Sequence, residues 1–389
     1  MTCFSDNNHD IIYQILIDRF AGFSSEYHHP TTEFVGGTIN GIISKLSYLR
    51  ELGITTIWIS PFYKTSAYHG YHITDFYAVE PHFGTEKDLM RLIEKVHDFD
   101  MHIIADFVPN HCSKHHPFFQ DAQRKKNSNF KNWFYFLDWP DKYLCFLSVE
   151  ELPKINLSFP PARDHIIDAA LYWLSKGFDG FRLDHVIGPS HDFWKTFTKK
   201  VKDQYPQSIL IGEAWMQGIR FNQLKTIQLP WKHLKWLFGS ASDWFLKSYQ
   251  HILDGVLDFK GQQLIKKSIQ LDESKEKIMK KFEKHYRRYN STYLLPLFLD
   301  NHDMDRFLFQ CGNNKTSLKK AASIQFSIDQ PVIIYYGSEI GMSQQQSIWS
   351  LPAHGDSLAR QPMTWHDIDR DLHQFYINSI AERKKRMKI

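Results

Sequence analysis

The chain has 389 residues, 42% apolar and 23% charged, enough to bury a large core. Its 47 basic against 43 acidic side chains leave a formal charge of +4, too little for the basic field of a nucleic-acid-binding protein. No apolar run approaches the roughly 18 residues of a membrane span, and the start, MTCFSDNNHD, lacks the basic and apolar regions of a signal peptide.

Residues 11–17 (IIYQILI) predict a buried strand, and 38–52 carry apolar residues at helical spacing up to Gly53. A strand over 54–60 (ITTIWIS) is stopped by Pro61. The segment 85–99 opens with Thr85 and Asp88, the start of a capped helix, and a strand over 102–108 (HIIADFV) ends at Pro109. Further on, helices over 162–176, 191–203, 271–289 and 316–328 precede strands over 178–183, 208–212, 293–299 and 331–336. A weaker strand falls at 253–259, and a last helix at 371–388 ends in a basic, solvated run.

Eight short apolar strands separated by helices predict an α/β fold, a TIM (β/α)8 barrel with a parallel sheet covered on both faces. A doubly wound sheet is the weaker alternative, because no glycine-rich phosphate loop follows any strand. The interval between the third strand and the helix opening near 162 is long and aromatic. It predicts a small subdomain over 110–160, inserted between barrel parts 1–109 and 161–389. The scattered cysteines Cys3, Cys112, Cys145 and Cys311 form no zinc or redox motif, and free thiols in a cytoplasmic protein are expected.

In such a barrel chemistry sits at the C-terminal ends of the strands. Asp106 ends the third strand, with Asn110 and His111 after it; Arg182, Asp184 and His185 end the fourth. Glu213 and Trp215 follow the fifth, and Asp300, Asn301, His302 and Asp303 follow the seventh. A single aspartate after a strand is more often a turn or cap residue. Asp164, Asp168 and Asp192 read that way, and the mixed charges of 260–288 read as a solvated helix face. Four clusters at four strand ends point instead to paired carboxylates, one acid and one base or nucleophile, as glycosidic bond cleavage requires.

The blocks DFVPNH (106–111), GFRLD (180–184), GEAW (212–215) and FLDNHD (298–303) resemble the conserved regions of the α-amylase family, glycoside hydrolase family 13. GITTIWISPF (53–62), YHGY (68–71) and PVIIYYGSEIGM (331–342) are similar too. Within the family, LPKINL (152–157) and Trp215 resemble the neopullulanase and cyclomaltodextrinase group. The resemblance implies a retaining glycosidase that hydrolyses α-1,4 and, in part, α-1,6 bonds in malto-oligosaccharides or related α-glucans. Asp184 would be the nucleophile, Glu213 the acid/base and Asp303 the third carboxylate. Arg182 would hold the nucleophile ionised, His111 and His302 would bond the sugar, and Tyr71 would stack beneath it, with Trp215 beside the acid.

The same resemblance leaves open a structural Ca2+ ion at Asn110; no other cofactor is expected. After Asp184 the chain reads His-Val-Ile-Gly-Pro, where many α-amylases carry a Lys-His pair. Neither the N-terminal β-domain of neopullulanases nor a C-terminal β-sandwich is read in the chain, and ARQPMTW (359–365) looks like the loop before the last helix. A homodimer would cover the surface a sandwich normally covers. Two other functions share these residues: a transglycosylase or isomerase on the same site, and an inactive barrel serving as a binding protein. Product analysis separates the first from hydrolysis, and the intact set of three carboxylates weighs against the second.

Overall fold

The computed structural model describes residues 10–23, 30–215, 241–351 and 354–388. Eight parallel strands run through it in chain order: β1 (Ile11–Ile15), β2 (Thr56–Ile59), β3 (His102–Phe107), β4 (Gly180–Leu183), β5 (Ile209–Gly212), β6 (Gly255–Val256), β7 (Leu297–Phe298) and β8 (Val332–Tyr335). By contacts the chain forms two compact units, one of Met1–Ser60, His82–Ile103 and Leu257–Ile389, the other of Pro61–Pro81 and Ile104–Val256.

In the first unit the hydrogen-bonded order is β2-β1-β8-β7. β1 pairs with β8 from Ile11↔Val332 to Gln14↔Tyr335 and with β2 from Ile12↔Thr56 to Ile15↔Ile59. Every residue of β1, β2 and β8 is buried, as strands covered on both faces must be, which is why they read as near-continuous Ile and Val runs. The helix Glu86–Asp98 begins with a complete capping box, Thr85 and Asp88 each bonding the other's backbone. Gly53 closes the helix Leu46–Leu52 at φ +97°; a Cβ there would meet Ile380 Cγ2 of the last helix, Arg370–Met387, at 2.6 Å. Glycine therefore serves both the turn and the helix contact.

The second unit has the order β3-β4-β5-β6, with β4 paired to β3 from Gly180↔Ile104 to Leu183↔Phe107 and to β5 from Gly180↔Ile209 to Leu183↔Gly212. The connection after β3 holds a helix (Pro117–Arg124) and two small antiparallel pairs, Phe136–Asp138 with Lys142–Tyr143 and Cys145–Phe146 with Val149–Pro153. Its aromatics pack on one another: Phe118 stacks on Phe130 at 4.0 Å, and Phe119 meets Phe134 and Tyr143 edge-on. The structure also shows a hairpin, Tyr63–Thr65 with Ile73–Val79, that the strand pattern did not indicate.

Four expected elements differ. The helix over 38–52 is two, Ile39–Ile43 and Leu46–Leu52. Gly41 weakens the first, and Ser44 Oγ donates to the Gly41 carbonyl at 2.7 Å, competing with the helical ladder. The expected helix 271–289 is instead Lys275–Tyr286, preceded by a helix Phe259–Gln270. Asp258 caps the earlier helix, Asp272 at φ +47° breaks the pair, and Ser274 caps the later one. β6 and β7 shrink to two residues each, the latter behind Pro296.

Candidate active site

In the second unit the polar residues at the ends of β3, β4 and β5 meet around one guanidinium. Arg182 lies on β4 and is fully buried. Its Nη1 donates to both oxygens of Asp106 (2.7 and 2.9 Å) and to Asp184 Oδ1 (2.9 Å). Its Nη2 lies 2.6 Å from Glu213 Oε1, an ion-pair contact. Burial opposes the charge, but Asp106, Glu213, Tyr71 and Asp184 outweigh it and hold the guanidinium protonated.

Parallel register puts these groups together: Arg182 pairs with Asp106 across β3 and with Ile211 across β5, so Asp184 and Glu213 leave adjacent strands at one end. Glu213 N donates to Leu183 O at 2.9 Å, and His185 N donates to Glu213 Oε2 at 3.1 Å. His185 does this in the left-handed region, at φ +45°, which residues carrying a Cβ seldom adopt and which turns its N–H onto Glu213. Tyr71 OH donates to Asp106 Oδ2 at 2.8 Å, so one buried aspartate orients both the arginine and the tyrosine. Trp215 follows, half-buried; residues 216–240 lie outside the described set.

His111 sits beside this cluster, 2% exposed, its ring 4.8 Å from Phe146, which also meets His185 at 4.7 Å. Burial first, then His72 and Lys154, push His111 down to about 3, so it is neutral at physiological pH. His185 is also driven well below its ordinary value, chiefly by burial. Asn110 Nδ2 lies 3.3 Å from His111 Nδ1, and Asn110 Oδ1 accepts from Lys154 Nζ at 3.0 Å. Burial brings the Lys154 ammonium down to about 7.

The first unit holds the other expected residues. His302 Nε2 lies 3.0 Å from Asp303 Oδ2, and Gln14 Nε2 on β1 lies 2.5 Å from His302 Nδ1. With the Gln14 amide nitrogen donating, His302 carries its proton on Nε2, toward Asp303. Trp58 meets the His302 ring edge-on at 6.1 Å. Arg360 reaches in from the loop before the last helix: Nη2 donates to Asp303 Oδ1 at 2.7 Å, Nε donates to the His302 carbonyl at 2.7 Å, and Nη1 pairs with Asp356. Asp300 is buried and takes Phe307 N at 2.8 Å and Ser338 Oγ at 3.1 Å, a structural role.

Against known proteins, residues 2–143 and 138–372 match the model of the alpha amylase catalytic domain. The chain belongs to the alpha-amylase family. It is 37% identical over 380 residues to Alpha-amylase 2 of Dictyoglomus thermophilum, covering 96% of this chain and 63% of that protein. It is 28% identical to Neopullulanase 2 of Thermoactinomyces vulgaris, covering 96% and 62%. The chain thus spans less than two thirds of these curated relatives' lengths. The solved alpha-amylase from Geobacillus thermoleovorans in complex with acarbose superposes with a TM-score of 0.78 at 28% identity, over 99% of this chain and 80% of that one. The fold of this alpha-amylase-family chain is accordingly the α/β TIM barrel expected from the strand count.

Sequence reading missed the roles of Asp106, Gln14, Lys154 and Arg360. Asp106 was read only as a strand-end group; of the others, two left a signal: a glutamine inside the apolar run IIYQILI, and a lysine inside Leu-Pro-Lys-Ile, each a polar group that burial obliges to find partners. Among the described residues no helix is long and apolar enough to cross a membrane, and Cys112, Cys145 and Cys311 are free.

Proposed function

We propose that this chain is a retaining α-glycosidase acting on α-1,4, and in part α-1,6, glucosidic bonds of malto-oligosaccharides or related α-glucans. The carrying observation is the shared guanidinium: Arg182 bonds Asp184, favouring its ionised form, and contacts Glu213, so two carboxyl groups are held together at the ends of adjacent strands. The names of the relatives, amylases and a neopullulanase, support the substrate class.

In this reading the Asp184 carboxylate attacks the anomeric carbon while Glu213 gives its proton to the leaving oxygen, forming a glycosyl ester on Asp184. Glu213, now a carboxylate, takes a proton from water, which attacks the same carbon and releases Asp184. Asp303, aligned by Arg360 and His302, is the third carboxylate and stabilises positive charge developing on the sugar. Tyr71 and Trp215 offer aromatic faces, and neutral His111 and the His302 ring offer hydrogen bonds to sugar hydroxyls. A cytoplasmic setting and a homodimer complete the reading; the free thiols fit the first, and sedimentation at micromolar concentration tests the second.

The test is a proton NMR time course with maltoheptaose. New α-anomeric signals that appear first and then mutarotate support the reading. β-anomers first, or no cleavage at all, overturn it. Glu213→Gln is expected to spare substrates with good leaving groups far more than maltoheptaose, since those need no general acid.

A further inference from the structure

Lys154 is a charged side chain only 2% exposed, and the reaction above does not use it. Its Nζ donates to Asn110 Oδ1 at 3.0 Å and to the Gly188 carbonyl at 2.6 Å. Asn110 follows β3, and Gly188 closes the turn that leaves β4 through Asp184. The backbone binds Lys154 in place as well: it forms a bridge with His111, and Lys154 N donates to Leu144 O at 2.8 Å while Ile155 N donates to Asn110 O at 3.0 Å. Gly188 must be glycine, because a Cβ there would fall 2.1 Å from Asn110 Oδ1.

We propose that the Lys154 ammonium takes the place of a structural divalent cation, joining Asn110 to Gly188 so that the fold around Asp184 needs no metal. The donor chemistry carries the argument. A calcium ion needs six to eight oxygens at about 2.3–2.6 Å, with carboxylates among them. The Asn110 amide and the Gly188 carbonyl are two uncharged oxygens, and both face an ammonium. Lys154 Nζ already bonds both oxygens, so neither is left free for a dication. Among the described residues no group of three or more His, Cys, Asp or Glu side chains could hold a metal ion. The residues at Asn110 therefore do not fit the calcium ion that the family resemblance left open.

Lys154 is thus a positioning residue. Through Asn110 it holds His111, and through Gly188 it holds the turn 185–188, whose other side is fixed where Val186 N donates to Glu213 O at 3.1 Å and His185 N donates to the Glu213 carboxylate.

The test is thermal unfolding of the full chain with calcium chloride or with EDTA, alongside calorimetric titration with calcium; neither depends on the glycosidase reading. The wild-type melting temperature is expected to be the same in both, with no binding heat. Lys154→Met is expected to melt lower by about 5 °C or more, with no recovery in calcium. Lys154→Asp puts a carboxylate beside the two oxygens and is expected to melt lower in EDTA and to regain stability as calcium is added. If Lys154→Asp fails to fold, the wild type and Lys154→Met still decide. A wild type that binds one calcium ion, with Asn110→Ala abolishing the binding, overturns the proposal. So does a Lys154→Met protein as stable as the wild type.

Discussion

The two units hold their carboxylates in opposite ways. In one, three carboxylates share a single arginine that grows from the middle of a strand and has no contact with water. In the other, a single aspartate, about a quarter exposed, is held by an arginine from a loop, a histidine, and the backbone around them. The first arrangement is rigid because sheet register fixes every member. The second depends on a loop closing over the end of β7. Charge sharing on one buried cation fixes Asp184 and Glu213 relative to each other. A separately anchored carboxylate suits a group that responds to the sugar.

Removing each arginine sharpens the contrast. Arg182→Met leaves buried carboxylates without their cation and is expected to cost about 3–5 kcal/mol of stability, read by denaturant unfolding, along with all activity. Asp184→Asn is expected to keep the melting temperature and lose about 4 kcal/mol of transition-state stabilisation, roughly a thousandfold in kcat/KM. Near-wild-type turnover by that variant would remove the nucleophile assignment. Arg360→Met is expected to lower stability by only about 1 kcal/mol, because Asp303 and Asp356 remain partly solvated. In the proposed reading its kcat should nonetheless fall with little change in KM, as expected for a group acting on the transition state. Equal unfolding costs for the two arginines would erase the distinction between them.

A further effect concerns pH. His111 sits at about 3 in the folded chain against an ordinary 6.5, so below pH 6.5 the unfolded chain takes up a proton that the folded chain refuses. Stability contributed by neutral His111 is complete above 6.5 and declines toward 3, at a limit of about 1.4 kcal/mol per pH unit. Urea unfolding between pH 7 and 4.5 should show a shallower slope for His111→Asn than for the wild type.

Much of this was legible in the chain. Ile11–Ile15, Thr56–Ile59 and Val332–Tyr335 announced themselves by continuous burial, and Thr85 with Asp88 announced a helix start. Asp184 and Glu213 lie directly after β4 and β5, where the strand pattern put them. What failed were cases where a second, local preference competed with periodicity: Ser44 bonding back onto its own helix, and Asp272 adopting a left-handed turn within an apparently continuous helical run. The residues missed at the site act through others. Gln14, Lys154 and Arg360 touch His302, Asn110 and Asp303, and such pairings join positions 44 to 288 residues apart that no local pattern can link.

The central claim is that Asp184 forms a covalent bond to the sugar. The most direct test is to incubate the chain with 5-fluoro-α-glucosyl fluoride, digest it, and locate the modified peptide by mass spectrometry. The account predicts one glucosyl ester, on the peptide containing Asp184, and none in Asp184→Asn. An ester on Glu213 or Asp303, or turnover of the reagent with no ester formed, would contradict it.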